Sequence, residues 1–252
     1  MRRRVAVAVA TALAGALVSA GCSGGGIDDL TLPTTSTSVQ QVGPTVTTPP
    51  TYAGQDIVVE EQGVTSFADR YEKGAVLGGF AVILRNPDPA LLAAGVRVRT
   101  AVLDAAGNEL LVDHALLNGV MPGARMAVGR TIIEDVRDPV SLRVSVEVTE
   151  WMPPAFRETL VAEAVTTDVD VYGGAATRFA VRSALPVAEQ GVDVTAVYRD
   201  AEGRLLAGET TTLNDVAPGA TVLGQVSLIA PIPGTASTEV FVGRGFGAQT
   251  VG

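Results

Sequence analysis

Two passages of this chain are nearly one passage. Residues 96–124 and 192–220 align without a gap at an offset of 96 (200 − 104, from Asp200 and Asp104). Each carries an Asp-x-x-Gly turn, Asp104-Ala105-Ala106-Gly107 and Asp200-Ala201-Glu202-Gly203. Each then reads Leu-Asn-x-Val-x-Pro-Gly-Ala, at residues 117–124 and 213–220. A repeat with a period of about a hundred residues requires one supersecondary unit to be built twice. The 252 residues therefore divide into two like domains rather than one large one.

The strand pattern is clearest inside the repeat. Val96, Val98, Thr100 and Val102 alternate with Arg97, Arg99 and Ala101, the period of a half-buried strand. Asp104 can bond nearby backbone N–H groups and Gly107 can take positive φ, so a tight hairpin is expected, with residues 109–117 as the return strand. Pro122-Gly123 makes a second turn before a strand over 125–133. Leu142, Val144, Val146 and Val148 then alternate with Arg143, Ser145 and Glu147.

Upstream, residues 76–85 read as a strand with Phe80, Val82 and Leu84 on one face, closed by Asn86-Pro87-Asp88-Pro89. Residues 57–59 are apolar, whereas 60–73 are polar and poorly patterned, which predicts a loop or a short helical turn. The second repeat follows the same order: an opening strand within 160–171, a strand over 177–183, alternation from Val192 to Tyr198, the Asp200 turn, the Pro218-Gly219 turn, a strand over 222–228, a Pro/Gly loop and a closing strand over 239–246. Phe179 aligns with Phe80 at an offset of 99, which places a three-residue indel upstream of the gapless block (99 − 96). Pro153-Pro154 separates the repeats by so short a linker that the domains are expected end to end.

Composition agrees with this. Hydrophobic residues make up 47% of the chain and aromatics only 4%, so the cores must be built from Val, Leu, Ile and Ala, which suits β-strands. Outside the leader no long segment has a helical period. Six or seven short strands with turns between them in under a hundred residues predict a β-sandwich, twice.

The N-terminal residues carry a separate message. Met1-Arg2-Arg3-Arg4 is a positive n-region, residues 5–18 are an apolar run rich in Ala and Val, and small residues follow up to Cys22, the only cysteine. This is the pattern of a secretory signal peptide. The run is short for a transmembrane helix, which needs about 20 residues. Ala20-Gly21-Cys22 resembles the lipobox of bacterial lipoproteins, with Ser19 where that family usually has an aliphatic residue. The resemblance implies acylation of Cys22 with diacylglycerol and cleavage before it. Two acyl chains anchor stably where one is marginal. Residues 31–51 form a Ser/Thr/Pro tract without hydrophobic periodicity, expected to be a disordered stalk that can carry O-glycans.

The turn residues carry a second resemblance. The order of strand, Asp-x-x-Gly hairpin, strand, Pro-Gly turn and strand looks like the FxLYD-type immunoglobulin-like domains of bacterial extracytoplasmic proteins. The residues concerned are Phe80, Asp104, Gly107, Pro122 and Gly123, then Phe179, Asp200, Gly203, Pro218 and Gly219. The literal motif is replaced by Ala101-Val102-Leu103-Asp104 and Val197-Tyr198-Arg199-Asp200. The resemblance implies an all-β chain of two tandem immunoglobulin-like β-sandwich domains after a disordered Thr/Pro-rich tether. Its parts are a signal peptide (1–21), the lipidated Cys22 and tether (22–54), and sandwiches over 55–152 and 155–249. Such a fold carries no fixed activity.

Charge and chemistry narrow the function. The formal charge is −9, and loss of Arg2, Arg3 and Arg4 with the leader leaves 15 cations against 27 anions, or −12. With no basic run, nucleic acid is not an expected partner. A single cysteine forms no intramolecular disulfide. His114, the only histidine, is aligned with Thr210 and is expected on a strand surface; no Gly-x-Ser-x-Gly motif accompanies it. Asp168-x-Asp170 and Glu134-Asp135 with Asp138 are the acidic groups closest to a calcium pattern, without EF-hand spacing. Gly78-Gly79 and Gly173-Gly174 lack phosphate-loop spacing.

The sequence thus predicts a non-enzymatic protein with no cofactor, anchored to the extracytoplasmic face of the cell membrane through Cys22. Its two modules are expected to contact an envelope protein. A solute-binding lipoprotein, a hydrolase with an unrecognised site and a pure spacer are the alternatives. The Ala- and Val-rich leader and the Gly, Val and Arg usage suggest a high-GC bacterium such as an actinobacterium.

Overall fold

A computed structural model describes residues 51–69, 72, 74–132, 136, 138–157, 159–169 and 174–244. The signal peptide, Cys22 and the tether as far as residue 50 lie outside the described residues, as do Glu134, Asp135, Asp170 and Gly173. Among the described residues there are twelve strands and no helix. In chain order they are β1 (Val58–Ala68), β2 (Val76–Arg85), β3 (Leu92–Leu103), β4 (Glu109–Val120), β5 (Arg125–Ile132), β6 (Ser141–Met152), β7 (Leu160–Val169), β8 (Ala175–Ser183), β9 (Glu189–Arg199), β10 (Leu205–Val216), β11 (Thr221–Leu228) and β12 (Ser237–Val242).

The strands form four three-stranded antiparallel sheets. Sheet 1 has the order β4-β3-β6, sheet 2 β1-β2-β5, sheet 3 β10-β9-β12 and sheet 4 β11-β8-β7. No sheet mixes strands from before and after Pro153. One core lies between sheets 1 and 2, where Phe80, Val82 and Leu84 of β2 meet Val96, Val98 and Val102 of β3. A second lies between sheets 3 and 4, where Phe179 and Val181 of β8 meet Val192, Val194, Ala196 and Tyr198 of β9. Each pair is a β-sandwich-like arrangement with its inner faces closed on apolar side chains.

The repeats are not end to end. The back of sheet 2 packs on the back of sheet 3, with Ala81, Ile83 and Ala127 buried against Val197, Leu205 and Phe241. The sheets are thus layered 1-2-3-4, and Pro49–Gly252 is one compact unit. The reason lies in β2. From Leu77 to Leu84 every residue of β2 is buried, because both faces of the strand are covered, and such a strand reads as a continuous apolar run. A short linker limits distance but not direction; the apolar back of sheet 2 sets the direction, since a sheet face of that kind must be buried. Phe67 and Leu77 of the first hairpin even contribute to the second core.

Two local expectations are corrected. Residues 60–68 belong to β1 rather than to a loop or helical turn. A register shift between Val59 and Glu61 breaks the alternation, and Glu60 and Glu61 are engaged in ion pairs, described below. The second correction concerns Phe179. Arg85 pairs with Arg125, and Arg182 with Thr221, so β2 and β8 correspond at an offset of 97 (182 − 85). Phe179 therefore occupies the place of Val82, and Thr177 that of Phe80, leaving an indel of one residue (97 − 96). The two cores trade volume: Val82 pairs with Val128, whereas Phe179 pairs with Gly224, where a Cβ would lie 2.4 Å from the Phe179 ring. Where the first core has Phe80 and Val102, the second has Thr177 and Tyr198, joined at 3.1 Å through their hydroxyls. Burial raises the Tyr198 phenol to about 12, against the Thr177 hydrogen bond, so it stays protonated and either hydroxyl can donate to the other.

The repeated turns are built alike. Asp104 Oδ1 accepts the Ala106 and Asn108 N–H groups, both at 2.8 Å, and Gly107 sits at φ 82°. Asp200 Oδ1 accepts from Glu202 and Arg204, and Gly203 sits at φ 80°. Gly123 and Gly219, after Pro122 and Pro218, are at φ 68° and 67°. The Asn108 side chain, then its N–H and those of Ala106 and Gly107, hold the Asp104 carboxyl below its ordinary range. A carboxylate with a depressed folded pKa stabilises above its unfolded pKa, and this is lost as pH falls through the folded pKa. Asp104→Ala is therefore expected to lower the thermal midpoint at neutral pH. The gap to wild type should close in acid, as read from melts across pH; a gap that persists below pH ~2 contradicts this origin.

Candidate functional site

The seam between sheets 2 and 3 is made of small residues because the backbones touch. A Cβ on Gly129 would lie 2.6 Å from the Gly208 Cα, and one on Gly63 would lie 1.8 Å from the Leu205 carbonyl oxygen. A Cβ on Gly79 would lie 2.9 Å from the Ala207 Cβ. Glycine inside a strand often marks such a close approach. Across the seam, Thr195 Oγ1 donates to the Ala127 carbonyl (3.0 Å) and Thr210 Oγ1 to that of Gly129 (3.1 Å). β5 is an edge strand of sheet 2, so these hydroxyls occupy carbonyls that an edge leaves without a ladder partner. Glu209 accepts the Thr131 N–H at 2.7 Å. Burial raises the carboxyls of Asp193 and Glu209, against hydrogen bonds from Thr212 and Thr131 respectively.

Ion pairs close the rim. Glu60 pairs with Arg85 and with Arg125 (2.8 Å); Glu61 pairs with Arg125 (2.9 Å) and with Arg199 (3.1 Å). Arg199 also reaches Glu239 at 3.3 Å, and the Arg125 guanidinium lies 5.5 Å from the centre of the Phe241 ring. The Arg199 hydrogen bond, opposed by burial, holds the Glu61 carboxyl low. An isolated surface pair is worth ~0–1 kcal/mol, but a network of bidentate arginines is the favourable case. Here it joins β1 and β5 to β9 and β12 and fixes one half on the other.

Among the described residues, the arrangement leaves two broad faces uncovered. Sheet 1 presents Arg97 and Arg99 of β3, His114 and Leu116 of β4, and Ser145 and Glu147 of β6, which line a groove of about 360 Å³. Arg99 pairs with Glu109 at 3.0 Å, and Arg143 with the same carboxylate at 3.3 Å. Leu116 is 54% exposed. Sheet 4 presents Arg178 and Arg182, paired with Asp168 and Glu163 at 2.8 and 2.7 Å. The linear sequence has no basic run; pairing β3 with β6 brings Arg97, Arg99 and Arg143 onto one face.

Of the residues singled out in the sequence, Asp104, Gly107, Asp200 and Gly203 lie in the β3–β4 and β9–β10 hairpins, whereas Pro122, Gly123, Pro218 and Gly219 lie where the chain crosses from one sheet of a sandwich to the other. His114 is exposed on β4, opposite Arg99, and its counterpart Thr210 is in the seam. Asp168 is engaged with Arg178. Among the described residues, no group of three or more His, Cys, Asp or Glu side chains could hold a metal ion, and no helix is long and apolar enough to cross a membrane. A cleft of about 580 Å³ opens between β7 and β12, with Thr167, Tyr198 and Thr238 in its wall. Thr167 Oγ1 donates to Thr238 at 2.9 Å. Of the seam glycines only Gly79 stood out in the sequence, as half of Gly78-Gly79; Gly63, Gly129, Gly208 and the rim acids did not, although Gly129 and Gly208 in strand interiors were an available signal.

No protein-family model matches the chain, and no curated protein does. Among solved structures it is similar to pT26-6p at 9% identity and a TM-score of 0.22, over 74% of this chain. The chain spans 61% of that protein's length. A likeness at this level leaves the chain's own geometry as the basis for its function.

Proposed function

We propose that this chain is a non-enzymatic, lipid-anchored protein of the cell envelope whose two immunoglobulin-like sandwiches act as one rigid contact module on a tether. The observation that carries the reading is the seam. Backbone-to-backbone packing at Gly129 and Gly208, with ion pairs at the rim, supports a module that holds its outer faces in fixed relation. Such a module suits protein contact better than enclosure of a substrate. The anchor rests on the position of Cys22 after a signal-like leader.

The test is made in the producing cell. Wild type is expected in the membrane and detergent phase, and Cys22→Ser in the aqueous phase. Equal partition of the two sinks the anchor. In-cell cross-linking of the full-length protein, followed by mass spectrometry, is expected to recover one reproducible envelope protein with wild type. Recovery of none in a protein that stays membrane-bound favours a spacer instead.

A further inference from the structure

We infer that the outer face of sheet 1 is a docking surface for a partner protein that presents an acidic β-sheet face. This rests on the reading of the chain as a contact module and names the chemistry of its partner.

The argument starts from the seam. Sheet 3 of the second repeat corresponds to sheet 1 of the first, and the outer face of sheet 3 already receives a sheet. The correspondence is residue by residue. Arg99 pairs with His114 and Ser145 as Thr195 pairs with Thr210 and Phe241. Ala101 pairs with Val112 and Arg143 as Val197 pairs with Gly208 and Glu239. All of these matches hold at the offset of 96 (195 − 99, 210 − 114, 239 − 143). The face that docks in one repeat is thus left uncovered by the described residues in the other.

Its chemistry has been rewritten. Where the docked face has Asp193, Thr195 and Glu239, the free face has Arg97, Arg99 and Arg143. Two acids and a hydroxyl have become three arginines, set against Glu109 and Glu147, in a chain whose net charge is −9. Arg97 makes no ion pair among the described residues, and the exposed Leu116 beside it supplies an apolar anchor. A partly apolar face with arginines suits a partner with carboxylates in register, since complementary charge sets partner choice.

The same comparison excludes a second copy stacking in the manner of the seam. The face of sheet 4 corresponds to the docked face of sheet 2, yet it has Arg178 for Ala81 and Gln225 for Gly129 (178 − 81 = 97; 225 − 129 = 96). On sheet 1, Val112 stands for Gly208, so the two faces can meet only side chain to side chain, farther apart than in the seam, where charge decides whether they hold. The latch is missing too: Glu163 corresponds to Glu61 by its pairing with Ala180, but Leu103 stands where Arg199 would receive it. Arginine would meet arginine, and like charges brought together disfavour the wrong partner.

A charge-swapped version of this chain supplies the probe. The variant Arg97→Gln/Arg99→Gln/Arg178→Glu/Arg182→Glu has an acidic sheet 4 face and a sheet 1 face stripped of its outer arginine charge at 97 and 99. Mixed with the wild-type chain in sedimentation velocity, it is expected to form a 1:1 complex that dissociates in roughly 0.5 M salt. Against Arg97→Gln/Arg99→Gln, binding is expected to weaken about tenfold or more. No complex with wild type, or one equally strong with Arg97→Gln/Arg99→Gln, overturns the proposal. If circular dichroism shows the fourfold variant unfolded, Arg178→Glu/Arg182→Glu replaces it. That variant is expected to self-associate head to tail, and a monomer overturns the proposal. Failure here alongside a cross-linked envelope partner removes the face and keeps the contact reading; failure to cross-link any partner removes the contact reading itself.

Discussion

Valine at position 129 is expected to part the two halves of the protein. A Cβ there lies 2.6 Å from the Gly208 Cα, 2.7 Å from its carbonyl carbon and 3.0 Å from the Glu209 nitrogen. All three are backbone atoms, so no rotamer relieves the clash. Overpacking a core costs about 1–3 kcal/mol where side chains can yield, and more where they cannot. If the sheets move apart, the Thr195 and Thr210 hydrogen bonds to β5 are lost as well, at ~1 kcal/mol each. The expected destabilisation is ~3 kcal/mol or more, a large part of the 5–15 kcal/mol typical of a folded protein. Urea unfolding followed by circular dichroism is expected to show one transition for wild type and two for Gly129→Val, as the sandwiches melt independently. Gly129→Ala is expected to fall between them. One transition for Gly129→Val, within ~0.5 kcal/mol of wild type, contradicts the close seam.

That seam was the part of the fold least legible in the sequence. Turns are local: Asp104 and Asp200 write their hydrogen bonds within four residues, so their pattern is visible without a third dimension. Alternation is also local, and β3, β6 and β9 follow it. A sheet-on-sheet contact is not local. Gly129 meets Gly208 across 79 residues (208 − 129), and nothing in either neighbourhood names the other. The continuous burial of β2 was present in the sequence as an apolar run, but an apolar run says only that both faces are covered, not by what.

The errors have the same origin. Residues 60–68 look unlike a strand because Glu60 and Glu61 serve arginines on β2, β5 and β9 rather than alternating with a core. Aligning Phe179 with Phe80 followed side-chain size, whereas the cores conserve summed volume: Phe179 gains its space from Gly224, on another strand. The candidate docking face was half legible. Arg97 and Arg99 alternate visibly on β3, but Arg143 joins them only through pairing, and the meaning of the face appears only beside its occupied counterpart on sheet 3.

A second large effect is expected beside the junction of the two repeats, where Glu189 and Arg244 form an ion pair at 2.9 Å. Glu189 is 0% exposed and Arg244 7%. Arg244 also donates to the Phe156 carbonyl at 3.0 Å, and its own carbonyl accepts from the Asn118 side chain at 3.3 Å. One arginine thus ties the start of β9 to the segment between the repeats and to β4. Removing one member of a buried pair strands the other charge in a poor solvent, at a cost of about 3–5 kcal/mol. Arg244→Met keeps the aliphatic volume and removes the charge, so the expected loss is of that size in urea unfolding at neutral pH. Removing both charges need not cost as much, because an apolar pair of similar volume escapes the desolvation penalty. Glu189→Met/Arg244→Met is therefore expected to recover most of the loss. The cycle separates two roles. Recovery in the double variant makes the pair an electrostatic liability kept for the way it joins three segments. A double variant as unstable as Arg244→Met would instead place the cost in the lost side-chain bond to Phe156, with the charge on Glu189 of little account.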